Sequence, residues 1–422
     1  MLPLSEVLSE RRESVQINGA LGDWQAITIK FSGKVLPRER TEAFKGSMFA
    51  AYPGDLVFSK IDARNGAIGL IPDSIPKAVV TSEYPVFTPR ADKLRADYLH
   101  HLLRAEHFQA DLKRKASGTS GRKRVTPEGF LSLEVPVPAL HEQEALIAAY
   151  TEALNRAAHL EQEAEAIEHA GWQAFEAALG VAAPPPLPDR PVFVAQFKNV
   201  ERWSHEGILH AQNQVGTATS GVSLIPLGQM AKVSYGIQKS PANRPGVHAR
   251  PYLRVANVQR GVLDLREIKY INVPDEEMPK LRLEVGDVLL CEGNSPDLVG
   301  RGAIWRGEIE DCVHQNHVLR VRVDRNRLLP EYVLAVINSR HGQAYFRSKA
   351  KRTTNLASIN SKEVAGLPVP ELSVDRQQEL LNDLNTQIRA SQTKRAEAAA
   401  LRQSAWAAFE ASLFASNEEA ST

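Results

Sequence analysis

Six cationic side chains crowd one short stretch, Lys113-Arg114-Lys115-Ala-Ser117-Gly-Thr119-Ser120-Gly-Arg122-Lys123-Arg124. Lys and Arg neutralise phosphates and release counterions, while Ser, Thr and backbone N–H groups add uncharged phosphate hydrogen bonds. The glycines let backbone approach a ligand closely. A second basic run, Arg347-Ser-Lys349-Ala-Lys351-Arg352-Thr353-Thr354-Asn355, stands at the matching place in the second half of the chain. One such run alone is usually a solvated face. Two at matched positions favour a shared polyanionic ligand, with both runs expected to hold its backbone. Base edges need other donors and acceptors: Arg suits guanine, and Asn or Gln suits adenine. Candidates in polar loops are Arg64 and Asn65, then Gln238, Asn243, Arg244, Asn257 and Gln259. Asn65-Gly66 is equally a turn signature.

The chemistry of an enzyme is harder to find. A phosphate-cradling Gly-x4-Gly-Lys-Ser/Thr loop is absent, since Gly216-Thr-Ala-Thr-Ser-Gly221 lacks the lysine. No Gly-rich cofactor loop lies between a clear strand and helix. Asn294-Ser-Pro-Asp297 does not replace the Asn-Pro-Pro-aromatic element of amino-methyltransferases. Asp264-Leu-Arg-Glu267-Ile-Lys269 has the residue types of a metal-dependent nuclease, but that spacing is common in exposed strands. His100 and His101 fall in an expected helix, Tyr98–Ala110, and His314 and His317 flank an expected strand. Without ligand spacing around them, packing and surface roles are favoured over metal. No cofactor and no metal are expected.

The 422 residues exceed one ordinary domain. Net charge is +1, so a nucleic-acid surface must come from local clusters. Two cysteines, Cys291 and Cys312, argue for a reducing compartment, with the cytoplasm as the default. The start at Met1-Leu2-Pro3 lacks a signal-peptide profile, and no apolar run reaches membrane-spanning length.

The elements that would position these residues come in duplicate. Trp172-Gln-Ala-Phe175-Glu-Ala-Ala-Leu179 returns as Trp406-Ala-Ala-Phe409-Glu-Ala-Ser-Leu413, at an offset of 234. Pro53-Gly54-Asp55 returns as Val285-Gly286-Asp287, and Pro136-Val-Pro138 as Pro368-Val-Pro370, both at 232. Leu2-Pro3-Leu4 returns as Ile225-Pro226-Leu227. In each half short β-branched runs, such as Ala26–Ile29, Ala78–Thr81 and Val318–Val323, precede the Pro-Val-Pro break. A long Ala/Glu/Gln-rich helix follows. In the first helix Leu146, Tyr150, Ala153, Ala157, Leu160, Ala164, Ile167, Gly171, Ala174 and Ala178 form an unbroken heptad seam. The second places Leu380, Leu384, Ile388, Ser391, Ala398, Leu401, Ala405 and Phe409 on one face. Each helix is the natural partner of the other. The expected division is 1–139, a helix over 140–180, a Pro-rich connector over 181–190, then 191–372, a helix over 373–415 and a disordered tail over 416–422. The segment 191–221 has no counterpart in the first half, and the first module borrows either it or the tail.

At the module–helix junction the residues resemble a known family. Gly54-Asp55, Gly118-Thr119, and Leu133-Glu-Val-Pro-Val-Pro-Ala-Leu140-His-Glu-Gln143-Glu are similar to the recognition domains of Type I restriction–modification specificity subunits. The second copy, Leu367-Pro-Val-Pro370 with Asp375-Arg-Gln377-Gln378-Glu379, departs slightly, with Gln378 where the first has Glu144. The resemblance implies two α+β target-recognition domains separated by two long antiparallel coiled-coil helices. It implies a non-catalytic reader of a bipartite site in double-stranded DNA, with the helices as its ruler. The implied partners are two DNA adenine methyltransferase (modification) subunits and, when present, restriction and translocase subunits, with no membrane. A specificity subunit of another phage-defence methylation complex, a cryptic nuclease, and a coiled-coil adaptor remain open alternatives.

Overall fold

The computed structural model describes residues 1–17, 21–39, 48–116, 124–181, 192, 194–197, 208–209, 222–295, 298–352 and 357–415. The connector over 182–190 and the tail over 416–422 lie outside the described residues, as does most of 191–221. The chain forms two compact units. Unit 1 joins Met1–Gln162 to the described part of Lys394–Thr422, and unit 2 is Glu163–Thr393.

Unit 1 contains β1 (Leu2–Pro3), β2 (Leu8–Arg11), β3 (Ser14–Val15), β4 (Gln25–Ile29), β5 (Val35–Pro37), β6 (Met48–Ala51), β7 (Leu56–Phe58), β8 (Ile68–Leu70), β9 (Ala78–Thr81), β10 (Val86–Pro89) and β11 (Glu134–Val135). Its helices are α1 (Ala96–Leu102), α2 (Glu106–Lys115), α3 (Pro127–Leu131) and the start of α4 (Leu140–Ala178). The helix expected over Tyr98–Ala110 is therefore two helices. The Arg104 and Ala105 N–H groups close a turn onto the His101 and Leu102 carbonyls, and the Arg104 side chain donates outward to the Ser32 carbonyl at 2.9 Å and the Ile68 carbonyl at 2.6 Å.

Unit 2 contains β12 (Leu224–Pro226), β13 (Ala231–Ser234), β14 (Ala249–Leu253), β15 (Lys269–Asn272), β16 (Val288–Cys291), β17 (Gly293–Asn294), β18 (Gly302–Ile304), β19 (Val313–His314), β20 (Val318–Val323), β21 (Lys351–Arg352), β22 (Ala357–Ser358) and β23 (Pro368–Pro370). Its helices are α5 (Met278–Leu281), α6 (Pro330–Asn338), α7 (Arg340–Lys349), α8 (Ser361–Ala365) and the start of α9 (Val374–Ala415).

The repeat legible in the sequence is a repeat of topology. An antiparallel sheet ordered β2-β10-β7-β8 in unit 1 returns as β13-β20-β16-β18 in unit 2. A parallel pair, β4 with β9, returns as β14 with β19. The entry strand pairs with the strand before the long helix in both units, β1 with β11 and β12 with β23. The Leu4 N–H donates to the Leu133 carbonyl at 2.8 Å, and the Leu227 N–H to the Leu367 carbonyl at 2.9 Å. These bonds equate Leu133 with Leu367 and Pro136 with Pro370. The offset there is 234 rather than 232, because hydrogen-bond register, not the look of Pro-Val-Pro, sets the alignment.

The β2-β10-β7-β8 and β13-β20-β16-β18 sheets each sit on an apolar core completed by helix ends from elsewhere in the chain. In unit 1 Phe409 and Leu413 of α9 are buried with Leu4, Phe87, Tyr98 and Phe130. In unit 2 Phe175 and Leu179 of α4 are buried with Leu227, Leu319 and Tyr332. Among the described residues, the last part of the second long helix is thus built into the core of unit 1. Phe409 stands 6.2 Å from the Tyr98 ring, and Phe175 stands 6.4 Å from Tyr332.

The 39 residues of α4 and 42 of α9 follow from their composition: Ala, Glu, Gln and Leu favour helix, and no proline interrupts either one. Glu142 reaches back to the Ala139 N–H at 2.8 Å, and Ser373 accepts from the Arg376 N–H at 3.3 Å. Gly180, at φ +66°, ends α4 in the left-handed region where glycine is favoured. The two helices run antiparallel within each unit. In unit 1 Tyr150 packs on Trp406 and Phe409 while Glu161 pairs with Arg402. In unit 2 Glu168 accepts from Ser391 at 3.4 Å, and Gly171 lies against Gln387 and Leu384. The absence of a side chain at Gly171 is needed there, since a Cβ would come within 2.7 Å of Gln387. The seam holds as far as Gly171 and then steps to Phe175 and Leu179, leaving Ala174 and Ala178 exposed. That step turns the helix face from its partner helix toward the sheet of unit 2.

Candidate nucleic-acid interface

A buried carboxylate fixes the Gly-Asp turn in each unit. Gly54 (φ +85°) and Gly286 (φ +94°) take a backbone conformation that a side chain disfavours. Asp55 accepts from the Tyr52 N–H at 2.8 Å, and Asp287 from the Glu284 N–H at 2.7 Å. Both aspartates are 2% exposed, and both are neutralised by arginine. The arginines come from different strands. Arg11 of β2 pairs with Asp55 at 2.8 Å beside Thr88 of β10, whereas Arg322 of β20 pairs with Asp287 at 2.7 Å. By strand register Thr88 corresponds to Arg322 and Arg11 to Ser234. The charge is retained while its source has moved one strand.

The glutamine of each junction is a clamp. Gln143 accepts from the Arg95 N–H at 2.9 Å and donates to the carbonyls of Lys93 (2.9 Å) and Pro138 (2.8 Å). Gln377 accepts from the Leu329 N–H at 2.9 Å and donates to those of Arg327 (2.8 Å) and Leu372 (2.9 Å). Tyr98 donates to the Pro136 carbonyl and Tyr332 to that of Pro370, at 3.2 and 2.9 Å. Glutamates from the long helices then cap the basic helices. Glu410 accepts from the Glu106 N–H at the start of α2 at 2.8 Å, and Glu176 from the Arg340 N–H at the start of α7 at 2.6 Å. The end of each long helix thereby fixes the helix that leads into a basic run.

Lys113, Arg114 and Lys115 are exposed in the last turn of α2, and Arg114 pairs with Asp111. Arg124 pairs with Glu83 at 3.3 Å. Ser117, Thr119, Ser120, Arg122 and Lys123 lie outside the described residues. Arg64 and Asn65 occupy a 3-10 turn packed against α2, closed by Gly66 at φ +95°, and Asn65 donates to Asp62 at 3.2 Å. In unit 2 Arg347 is exposed and Lys349 half-buried at the end of α7, leading into Lys351 and Arg352 on β21. Thr353, Thr354 and Asn355 lie outside the described residues. Gln238 and Arg244 are exposed, and Asn243 donates to the Gln238 carbonyl at 2.8 Å. Asn257 cannot meet a base, because it is 3% exposed. Its carboxamide is spent on the Arg254 N–H and the carbonyls of Asp264 and Glu267. Gln259 donates to the Ala256 carbonyl at 2.9 Å.

The nuclease-like acids do not converge. Asp264 is held by Arg266 at 2.6 Å, and that hydrogen bond draws its carboxyl down to about 2. Glu267 pairs with Lys269 and Arg254, each at 3.4 Å. Among the described residues no cluster of three or more His, Cys, Asp or Glu could hold a metal ion, and no helix is long and apolar enough to cross a membrane. Cys291 and Cys312 are buried and unbridged, and burial pushes the Cys312 thiol up to about 12.

His314 is a core residue of unit 2. Its Nδ1 stands 2.7 Å from the Val318 carbonyl, and its Nε2 is buried without a hydrogen-bond partner among the described residues. Burial pushes the imidazole down from 6.5 to about 4. The unfolded chain binds this proton near pH 6.5, and the folded chain refuses it until near pH 4. The stability contributed by the neutral ring is full above pH 6.5, declines as the pH falls from there, and is lost on passing through about 4. Amide exchange in unit 2 should therefore report a loss of up to about 3 kcal/mol across that window. In His314→Leu the pH dependence of the same amides should be much flatter; an unchanged slope would assign the acid sensitivity to other groups.

No family model matches the chain. A putative Type I restriction enzyme MjaX specificity subunit of Methanocaldococcus jannaschii is 27% identical over 136 residues, 32% of this chain and 32% of the relative. The Type I restriction enzyme EcoKI specificity subunit of Escherichia coli K12 is 21% identical over 286 residues, 67% of this chain and 56% of the relative. The chain thus spans from about a third to just over half of these relatives' own length. Among solved structures, the HsdS subunit from Thermoanaerobacter tengcongensis is 16% identical, with a TM-score of 0.52 over 98% of this chain and 96% of that one. A chain from a study of complex assembly and conformational transition in the type I R-M system is also 16% identical, with a TM-score of 0.59 over 97% and 96%. At that identity the likeness is one of fold. The fold is α+β, with repeated modules and two long antiparallel helices. The chain resembles Type I specificity subunits in sequence and shares the architecture of solved HsdS chains.

Proposed function

We propose that this chain is the DNA-sequence-specificity subunit of a Type I restriction–modification complex, with units 1 and 2 each reading one half of a bipartite double-stranded site. The observation that carries the reading is the duplicated frame. Sheet, buried aspartate, glutamine clamp and glutamate-capped basic helix recur position for position, while the loops between them diverge. Two copies of one scaffold with different loops suit one task performed on two sequences. The basic ends of α2 and α7 suit contacts to DNA phosphates, which fix register without reading sequence. The methyl transfer would be supplied by partner modification subunits docked on the long helices, and cleavage by restriction subunits when they join.

The reading is tested by replacing residues 1–135 with the equivalent segment of a relative that recognises another site. Co-expression with the modification subunit, followed by sequencing of methylated adenines, should show one half-site changed and the other intact. A change in both halves, or in neither, would refute reading by separate units.

A further inference from the structure

One part of the repeated frame moves its acid from a turn to a strand end between the units. In unit 1 the Lys60 N–H donates to the Glu83 carbonyl at 3.0 Å, and the Val125 N–H donates to the Lys60 carbonyl at 2.8 Å. In unit 2 the Glu292 N–H donates to the His317 carbonyl at 2.9 Å, and the Ile359 N–H to the Glu292 carbonyl at 2.8 Å. The backbone is the same three-way junction: the end of a core-sheet strand, the turn entering its neighbour, and the residues that follow the basic run. Lys60 corresponds to Glu292, Glu83 to His317, and Arg124 to Ser358.

The acid has changed place. In unit 1 the acid is on the turn, and Glu83 pairs with Arg124 at 3.3 Å. In unit 2 the acid is on the strand end, and Glu292 pairs with His317 at 2.6 Å. Stability does not explain the move. The Arg124 and Glu83 side chains are 49% and 42% exposed, and exposed pairs contribute little. Inside the sheets, by contrast, the aspartate–arginine pair is kept in both units even though the arginine changes strand. The junctions also adjoin the basic runs: Arg124 ends the first, and Ser358 lies opposite Lys351 in the β21–β22 pair. One Glu83 carboxylate oxygen is buried without a hydrogen-bond partner among the described residues, and the other carries the pair with Arg124.

We propose that these junctions read base edges, Lys60, Glu83 and Arg124 in the half-site of unit 1, and Glu292, His317 and Ser358 in that of unit 2. The inference rests on the DNA-recognition reading above and assigns its discrimination to particular residues. Arg124 has the donor fork for guanine O6 and N7, and Glu83 accepts from the exocyclic amine of cytosine. Glu292 is likewise an acceptor for an exocyclic amino group, oriented by His317. Arg124 thereby leaves the backbone-holding role that its place in the basic run suggests.

The test uses the full chain co-expressed with its modification subunit, with the methylated motif read by sequencing. Glu292→Gln and His317→Gln should each relax or change one base pair in the half-site of unit 2, by about tenfold or more in preference. The half-site of unit 1 should stay as it was and serve as the control for folding. Glu83→Gln should do the converse. If a variant methylates nothing, the purified chain is used to select duplexes from a randomised pool, and enrichment of the unaltered half-site overturns the assignment. So does an unaltered motif made at a reduced rate. A wild-type chain with no bipartite motif would instead refute the function proposed above, and this inference with it.

Discussion

Phe409→Ala is expected to destabilise unit 1 by about 3–5 kcal/mol, the cost of removing a buried aromatic ring, while leaving unit 2 folded. Phe409 is 3% exposed and stands within about 6 Å of Tyr98, Tyr150 and Trp406, measured ring to ring. It lies more than three hundred residues from Tyr98 in the chain, yet both belong to one core. Amide exchange followed unit by unit is the measurement. Protection should fall in 1–162 and 394–415 and persist in the sheet β13-β20-β16-β18. Phe175→Ala, its counterpart against Tyr332, should reverse the pattern. Equal losses in both units from either variant would mean that the helix ends do not belong to the cores to which their contacts assign them.

That exchange of helix ends was only half legible in the sequence. Trp172-x-x-Phe175 and Trp406-x-x-Phe409 announce a repeat, but the spacing does not say which sheet each motif meets. The long helices were legible because Ala, Glu and Gln persist without a break, and the seam failed only where Phe175 and Leu179 turn toward a sheet. The splitting of α1 from α2 was hidden because His100–Ala105 has no Gly or Pro, and the break is enforced by tertiary hydrogen bonds from Arg104. Gln143 and Gln377 were visible as residues of the junction, though not as clamps. Their recurrence at the offset of 234, shared with the Trp-Phe motif, was the signal available. The Arg11-to-Arg322 replacement could not be read, since only strand register places Ser234 and Thr88 at the vacated and acquired positions.

In the proposed function α4 and α9 set the gap between the two half-sites. At 1.5 Å per residue these helices are about 58 and 63 Å long, compared with roughly 34–36 Å for one turn of B-DNA. The division between the units falls within both helices, at Gln162–Glu163 and at Thr393–Lys394. Four residues inserted between Glu163 and Glu165 add about 6 Å, nearly two base pairs at ~3.4 Å each. Because a turn takes about 3.6 residues, they also return the helix close to its original rotation. The measurement is the methylated motif of the complex formed with this variant and with the unaltered chain. Both should give a bipartite motif, with identical half-sites and a longer gap in the variant. An active variant that keeps the original gap would contradict a ruler role for α4 and α9.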